Sequence, residues 1–131
     1  MPRHAAFPPD ATALRTAAEA RGRFAEAKMA ARLAEDGWQV LDQRVRTVAG
    51  EIDLIAEREG LLAFIEVKAR ASLSDAAYSL GRRQRQRLMA AAEIWLAGHP
   101  GHGEAGMRFD VLLLDAEGRM RRIADAFRLG D

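Results

Sequence analysis

The sequence contains no cysteine, almost no lysine and no long apolar run. The missing cysteines exclude disulfides, thiolate zinc sites and thiol nucleophiles, so any metal must be bound by oxygen or imidazole ligands. No apolar stretch approaches the roughly 20 residues that cross a bilayer, and Met1 to Asp10 lacks the basic-then-apolar order of a signal peptide. We therefore expect a cytoplasmic protein with no membrane partner, whose chemistry is carried by carboxylates.

The basic residues are nearly all arginine. Of the twenty lysine and arginine residues only Lys28 and Lys68 are lysine, and the formal net charge is +1. Because so small a charge produces no long-range field, a polyanionic partner would need a local basic patch. The run of Arg82, Arg83, Arg85 and Arg87 is a candidate for such a patch. A solvated helix face explains the same run equally well.

The length of 131 residues and a hydrophobic fraction of 49% predict one globular domain, residues 11–131, after a flexible proline-rich tail at residues 1–10. Apolar periodicity predicts a helix from Ala11 to Asp36, capped at Gly37, and a second helix from about Tyr78 to Leu96. Strands are predicted at Trp38–Arg46, Glu51–Glu57, Leu61–Ala69, Met107–Leu114 and Arg119–Ala124. The order α-β-β-β-α-β-β is typical of an α/β sandwich around a mixed sheet.

Acidic side chains interrupt the apolar pattern of three of these elements. Glu26 lies on the apolar face of the first helix, and Asp53 interrupts an apolar strand, where aspartate is unfavourable. In the third strand Glu66 and Lys68 share a face of a segment apolar enough to be buried on both sides. Strict alternation in the second strand predicts one face with Glu51, Asp53 and Ile55 and another with Ile52, Leu54 and Ala56.

Each polar residue has a structural explanation when it is taken alone. Glu26 can be satisfied by a nearby arginine, and Glu66 with Lys68 can form a surface salt bridge worth under about 1 kcal/mol. Gln84, on the apolar stripe of the second helix, can bond to backbone, and Arg108 with Asp110 is interpreted as an internal ion pair.

Taken together, the acids favour a metal site. Burying Glu26, Asp53 and Glu66 without a cation would cost several kcal/mol per ion. Mg²⁺ or Mn²⁺ held by Asp53, Glu66, the carbonyl of Val67 and water would remove that cost. Such an ion lowers the pKa of a bound water and neutralises charge at phosphorus. With Lys68 orienting that water, we expect phosphodiester hydrolysis.

Two segments resemble a known signature. Gly50 to Ala56, GEIDLIA, and Phe64 to Arg70, FIEVKAR, resemble the YraN-like family of uncharacterised bacterial proteins. That family is similar to the restriction-endonuclease-like superfamily, with its PD-(D/E)xK motif, and to Holliday junction resolvases. The resemblance implies a three-layer sandwich with a mixed central sheet flanked by helices. It also implies a Mg²⁺- or Mn²⁺-dependent endonuclease that acts on branched or otherwise structured DNA as a monomer or homodimer.

The resemblance also implies residue roles. Glu26 matches the helix glutamate of the superfamily, Asp53 and Glu66 match its metal ligands, and Lys68 matches its catalytic lysine. Gln84 falls near a polar residue carried by some nucleases of this fold, although lysine is common there, and Arg44 replaces a usual asparagine. Phosphate contacts are expected from the four-arginine run together with Arg44, Arg46 and Arg70. The alternative is a binding or scaffold module on the same fold that does not hydrolyse nucleic acid, and a third possibility is a role with a protein partner.

Overall fold

The computed structural model describes residue 24 and residues 26–69, 81–117 and 119–127. The predicted tail, the first part of the predicted first helix and the predicted helix start near Tyr78 lie outside the described residues. Helix α1 covers residues 26–35, and helix α2 covers Arg82–Gly98. The strands are β1 Gln39–Thr47, β2 Gly50–Arg58, β3 Leu61–Ala69, β4 Gly106–Leu114 and β5 Met120–Phe127.

The five strands form one mixed sheet in chain order, β1-β2-β3-β4-β5. Neighbouring strands are antiparallel except for β3 and β4, which are parallel and are joined through α2. The two helices cover opposite faces of the sheet, so the structure confirms the predicted α/β three-layer sandwich. In the part of the chain that the structure describes, no helix is long and apolar enough to cross a membrane.

Two apolar layers hold the helices against the sheet. The α1 side contains Met29, Leu33, Trp38, Leu54, Ala56, Ala63, Ile65, Leu112 and Leu114. The α2 side contains Ile52, Ile55, Leu62, Phe64, Leu88, Ala91, Ala92, Trp95 and Phe109. Leu62 and Phe64 therefore face α2 while Ala63 and Ile65 face α1, which confirms the alternation predicted for β3 and its central position in the sheet.

Helix α1 ends at the glycine that the sequence indicates. Gly37 has a φ of +88°, a conformation that glycine adopts without a Cβ clash. The N–H of Gly37 donates to the carbonyl of Ala34 at 3.1 Å, and that of Trp38 donates to the carbonyl of Leu33 at 3.0 Å. These bonds satisfy carbonyls at the helix end in the arrangement of a Schellman cap.

The alternation predicted for β2 is wrong at one point. Ile52 packs in the α2 layer with Ile55, although Leu54 and Ala56 pack in the α1 layer. Pairing of β2 with β3 ends at Leu54, and Arg44 on β1 has a φ of +52°. Because the strand is released from one neighbour and bent beside the other, the side chains before Leu54 no longer follow the period of two.

One buried acid has a structural role. Asp110 is fully buried, and its carboxylate lies 3.1 Å from Arg108 Nε and accepts a hydrogen bond of 2.9 Å from Arg122 Nε. The predicted ion pair of Arg108 and Asp110 is thus confirmed. The guanidinium groups of Arg108, Arg122 and Arg58 also lie 4.6 to 5.1 Å from the centre of a Trp38 ring, which gives cation–π contacts with the buried indole.

Candidate functional site

The site begins where β2 and β3 separate. Their pairing runs from Arg58 opposite Leu61 to Leu54 opposite Ile65 and does not include Asp53. Instead, Asp53 Oδ2 accepts a hydrogen bond of 2.8 Å from the N–H of Val67. A strand residue directs its N–H and C=O toward the same neighbouring strand, so the Val67 carbonyl faces the gap that contains the Asp53 carboxylate.

Glu66 is held from two directions. Its Oε1 accepts a hydrogen bond of 3.0 Å from Gln84 Nε2 and lies 3.3 Å from Lys68 Nζ. Only 12% of the Glu66 side chain and 14% of the Lys68 side chain is exposed. Since Gln84 comes from α2 and the other two residues come from β3, docking of α2 on the sheet completes this network.

The two carboxyl groups of the site have raised pKa values. Burial and, after it, the negative charge of Asp53 raise the pKa of Glu66 to about 7, although Lys68 opposes the rise. Burial also raises the pKa of Asp53, against the Val67 N–H bond, and Glu51 adds to the rise. Because the pKa values of both neighbouring carboxyls are raised, a cation between them would favour the state in which both are ionised.

These side chains line a cleft of about 210 Å³, formed by Gly50, Glu51, Asp53, Glu66, Gln84, Arg87 and Leu88. The structure therefore brings together Asp53, Glu66 and Gln84 from the predicted set, with Lys68 beside Glu66. Glu51 joins the cleft although it was not a predicted site residue. The signal was present, because Glu51 lies two positions before Asp53 in a predicted strand.

Glu26 is not among the residues that line the cleft. Its Oε2 lies 3.7 Å from Arg44 Nε, which is the contact expected from the simpler interpretation of this glutamate. Arg46 Nε lies 3.8 Å from Glu51 Oε2 at the cleft wall. Arg70, a predicted phosphate contact, lies outside the described residues.

The predicted arginine run forms the first turns of α2. Arg82, Arg83 and Arg87 are exposed and Arg85 is half-buried, and no described carboxylate forms an ion pair with any of the four. The first turn contains no acidic residue, and Gly81 provides no side-chain cap. Arginines at the positive end of a helix dipole disfavour the isolated helix, and they favour an anion bound beside it.

The donor set fits a hard divalent cation. Among the described residues, no group of three or more histidine, cysteine, aspartate or glutamate side chains is placed to hold a metal ion. Mg²⁺ is typically bound through one or two carboxylates and retains several waters. Asp53, Glu66 and the Val67 carbonyl match that pattern.

Comparison with known proteins gives one family. The family model described as uncharacterised protein family UPF0102 matches residues 25–114. A UPF0102 protein of Granulibacter bethesdensis is 56% identical over 110 residues, covering 84% of this chain and 70% of that protein. Another, of Bradyrhizobium sp., is 50% identical over 113 residues, covering 86% of this chain and 80% of that protein. A third, of Azorhizobium caulinodans, is 49% identical over 124 residues, covering 93% of this chain and 95% of that protein.

Proposed function

For this chain, which belongs to the uncharacterised protein family UPF0102, we propose hydrolysis of phosphodiester bonds in DNA with Mg²⁺ or Mn²⁺ as cofactor. One observation carries the proposal: Asp53 and Glu66 face each other in a cleft, and Lys68 Nζ lies 3.3 Å from Glu66 Oε1. The expected substrate is branched or otherwise structured DNA.

The metal would be held by Asp53, Glu66 and the carbonyl of Val67. When bound, the ion supplies a water of lowered pKa and neutralises charge on the phosphate. A hydrogen bond from Gln84 and the ion pair with Lys68 hold Glu66 Oε1, so the rotamer of Glu66 is set before the substrate arrives. A fixed carboxylate avoids reorganisation during the reaction.

Lys68 is the group best placed to handle the nucleophile. Its ammonium can donate a hydrogen bond to the attacking water, which orients that water. It can also donate to a non-bridging phosphate oxygen and stabilise the negative charge that develops there. A lysine ammonium is a compact charge with three rotatable donors. Its ion pair with Glu66 holds it beside that cleft-lining carboxylate, and only 14% of its side chain is exposed.

The arginines of α2 provide the binding surface. Arg87 lines the same cleft as the two carboxylates, and Arg82 and Arg83 extend the positive surface from it along the helix. Phosphate contacts of this kind position a nucleic acid without reading its sequence. Binding should therefore be strongly salt-dependent.

The decisive experiment is a nicking assay on branched and duplex DNA with Mn²⁺. We expect wild-type protein to cleave the branched substrate, and we expect Asp53→Asn and Glu66→Gln to lose at least about 100-fold in rate, the scale of a lost electrostatic or acid–base contribution. Glu117→Gln is the matched control, because Glu117 is a carboxylate on an exposed turn with a side chain 72% exposed.

Two outcomes would refute the catalytic proposal. The first is absence of cleavage by the wild-type chain in Mn²⁺ on every substrate. The second is cleavage that Asp53→Asn leaves unchanged, because that activity would come from elsewhere. Circular dichroism of each variant checks that a lost rate does not reflect an unfolded chain.

A nucleic-acid-binding module without turnover is the second candidate. It is favoured by the closed network in which Glu66 Oε1 is already bonded to Gln84 and close to Lys68, since such a network can be stable without a metal. Salt-sensitive DNA binding combined with a thermal stability that Mn²⁺ does not change would support this function over hydrolysis.

A further inference from the structure

The turn between β1 and β2 presents an apolar side chain to solvent. Val48 is fully exposed, whereas the other large exposed apolar residues of the described chain, Phe24 and Ile94, are 69% and 42% exposed. A side chain with no buried surface contributes nothing to the core. A single exposed apolar residue is ordinary on a protein surface, but this one lies on a turn that is held rigidly next to the cleft.

The turn is fixed by the hydroxyl of Thr47. Its Oγ1 accepts hydrogen bonds of 3.1 Å from the N–H groups of Ala49 and Gly50 and donates one of 2.8 Å to the carbonyl of Gly50. These bonds tie both ends of the turn to one side chain. Valine is also restricted at χ1 by its branched Cβ. Val48 is therefore presented from a fixed turn, although no residue of the described chain buries it.

The same turn forms part of the cleft mouth. Gly50 and Glu51 line the cleft with Asp53 and Glu66. A Cβ added to Gly50 would lie 3.5 Å from Arg87 Cβ, so the hairpin packs directly on α2 at a cleft-lining arginine. Arg46, just before the turn, has a side chain that is 76% exposed. Val48 thus follows Arg46 by two residues, and two residues after it the chain reaches Gly50, which lines the cleft and lies against Arg87.

We propose that Val48 is a specificity-determining residue that contacts an unstacked base at a DNA branch point while the adjacent phosphodiester occupies the cleft. This inference rests on the proposed function, because it names how that site selects its substrate. Arg46 and Arg87 would contact the phosphates on either side, and such contacts carry no structural selectivity. The uncharged contact supplies the selectivity.

The physical basis is the energy of unstacking. Apolar side chains that enter a base step must separate stacked bases, which costs a few kcal/mol per step in an intact duplex. At a branch point the stack is already interrupted, so that cost is small. Val48 would gain buried apolar area on branched DNA and would meet intact base pairs on duplex DNA.

The test compares affinities for a Y-shaped DNA and a fully paired duplex of the same sequence, with 2-aminopurine at the branch point, in EDTA. For Val48→Ser we expect about five- to tenfold weaker binding to the Y-shaped DNA, which is the scale of burying part of one valine side chain. We expect its affinity for the duplex to stay within about twofold of the wild-type affinity. Wild type should raise the 2-aminopurine fluorescence, and Val48→Ser should not. Val48→Leu should retain both effects.

The control is Ile94→Ser, which removes a partly exposed apolar side chain from α2 and should change neither affinity. Equal losses on the two DNAs, no loss, or a matching loss in Ile94→Ser would overturn the inference. Equal affinity of the wild type for both DNAs would also overturn it. Because the readout is binding without divalent metal, these results do not depend on cleavage, and a wild type that prefers branched DNA but never cuts it would refute hydrolysis alone.

Discussion

Among single residues, Glu66 is the one whose environment most alters its chemistry. Its pKa is raised from 4.5 to about 7, first by burial and then by the charge of Asp53. The folded state therefore binds this proton more tightly than the unfolded state. The contribution of Glu66 to stability is fully present below pH 4.5 and is lost as the pH rises through about 7.

Glu66→Gln should remove this pH dependence. We expect wild type and variant to differ little near pH 4.5 and the variant to become relatively more stable toward pH 8, by on the order of 3 kcal/mol. Urea unfolding in EDTA at a series of pH values measures the difference. A difference between Glu66→Gln and wild type that does not change with pH would contradict the expected proton linkage.

Replacing Lys68 by arginine tests whether the site requires lysine itself or only a positive charge. Arginine cannot be deprotonated and spreads its charge over a planar fork, whereas lysine presents a compact ammonium. We expect Lys68→Arg to lower the single-turnover nicking rate by about 100-fold. Lys28→Arg, on the exposed face of α1, should leave the rate unchanged. Full activity in Lys68→Arg would mean that the site requires only a positive charge.

At this scale the sequence indicated which residues are unusual better than it indicated what they contact. Asp53, Glu66 and Lys68 stood out because charge is costly in apolar strands, and the structure places them together. Helical periodicity indicates the face on which Glu26 lies but not the residue that it contacts. In the structure Glu26 forms an ion pair with Arg44. Arg44 has a φ of +52°, a conformation that asparagine tolerates well and that strand periodicity does not reveal.

Among the elements, the two helices differ in how they end. Helix α1 requires Gly37, which has a φ of +88°. At Gly98, the last residue of α2, an added Cβ would meet nothing within 4 Å. The same substitution should therefore have opposite effects at the two positions.

We expect Gly37→Ala to destabilise the protein by about 1 to 2 kcal/mol through the left-handed conformation. Gly98→Ala should stabilise it by about 0.5 kcal/mol because alanine loses less backbone entropy in a helix. Midpoints of urea unfolding at constant slope measure both changes. Destabilisation by Gly98→Ala would show that the end of α2 does not accept a side chain.

The elements themselves were largely readable from the sequence. The bounds predicted for β3 match Leu61–Ala69, because a long apolar run between a turn and polar residues leaves little ambiguity. The resemblance seen in the segments from Gly50 and from Phe64 is confirmed by the family match. The break in β2 at Asp53 was missed, since it arises where β2 leaves β3, and pairing between strands is not encoded by the period of either strand.

For the molecule as a whole, metal binding should appear as stability. A ligand that binds only the folded chain at about 100 times its Kd adds about 2.7 kcal/mol. We expect Mn²⁺ to raise the Tm of the wild type by several degrees and to leave Asp53→Asn unchanged. Differential scanning fluorimetry measures both, with Glu117→Gln as the variant that should respond like wild type. An equal rise in Asp53→Asn would assign the metal to another part of the protein.

The strand order of the sheet has a consequence for synthesis. Each strand pairs with the one made immediately before it, so a chain emerging from the ribosome can extend the sheet in the order of translation. Asp53 and Glu66 meet when the β2–β3 hairpin closes, and Gln84 joins when α2 docks. The cleft can therefore form before β4 and β5 have been translated; β4 then covers the open edge of β3, and β5 adds to β4.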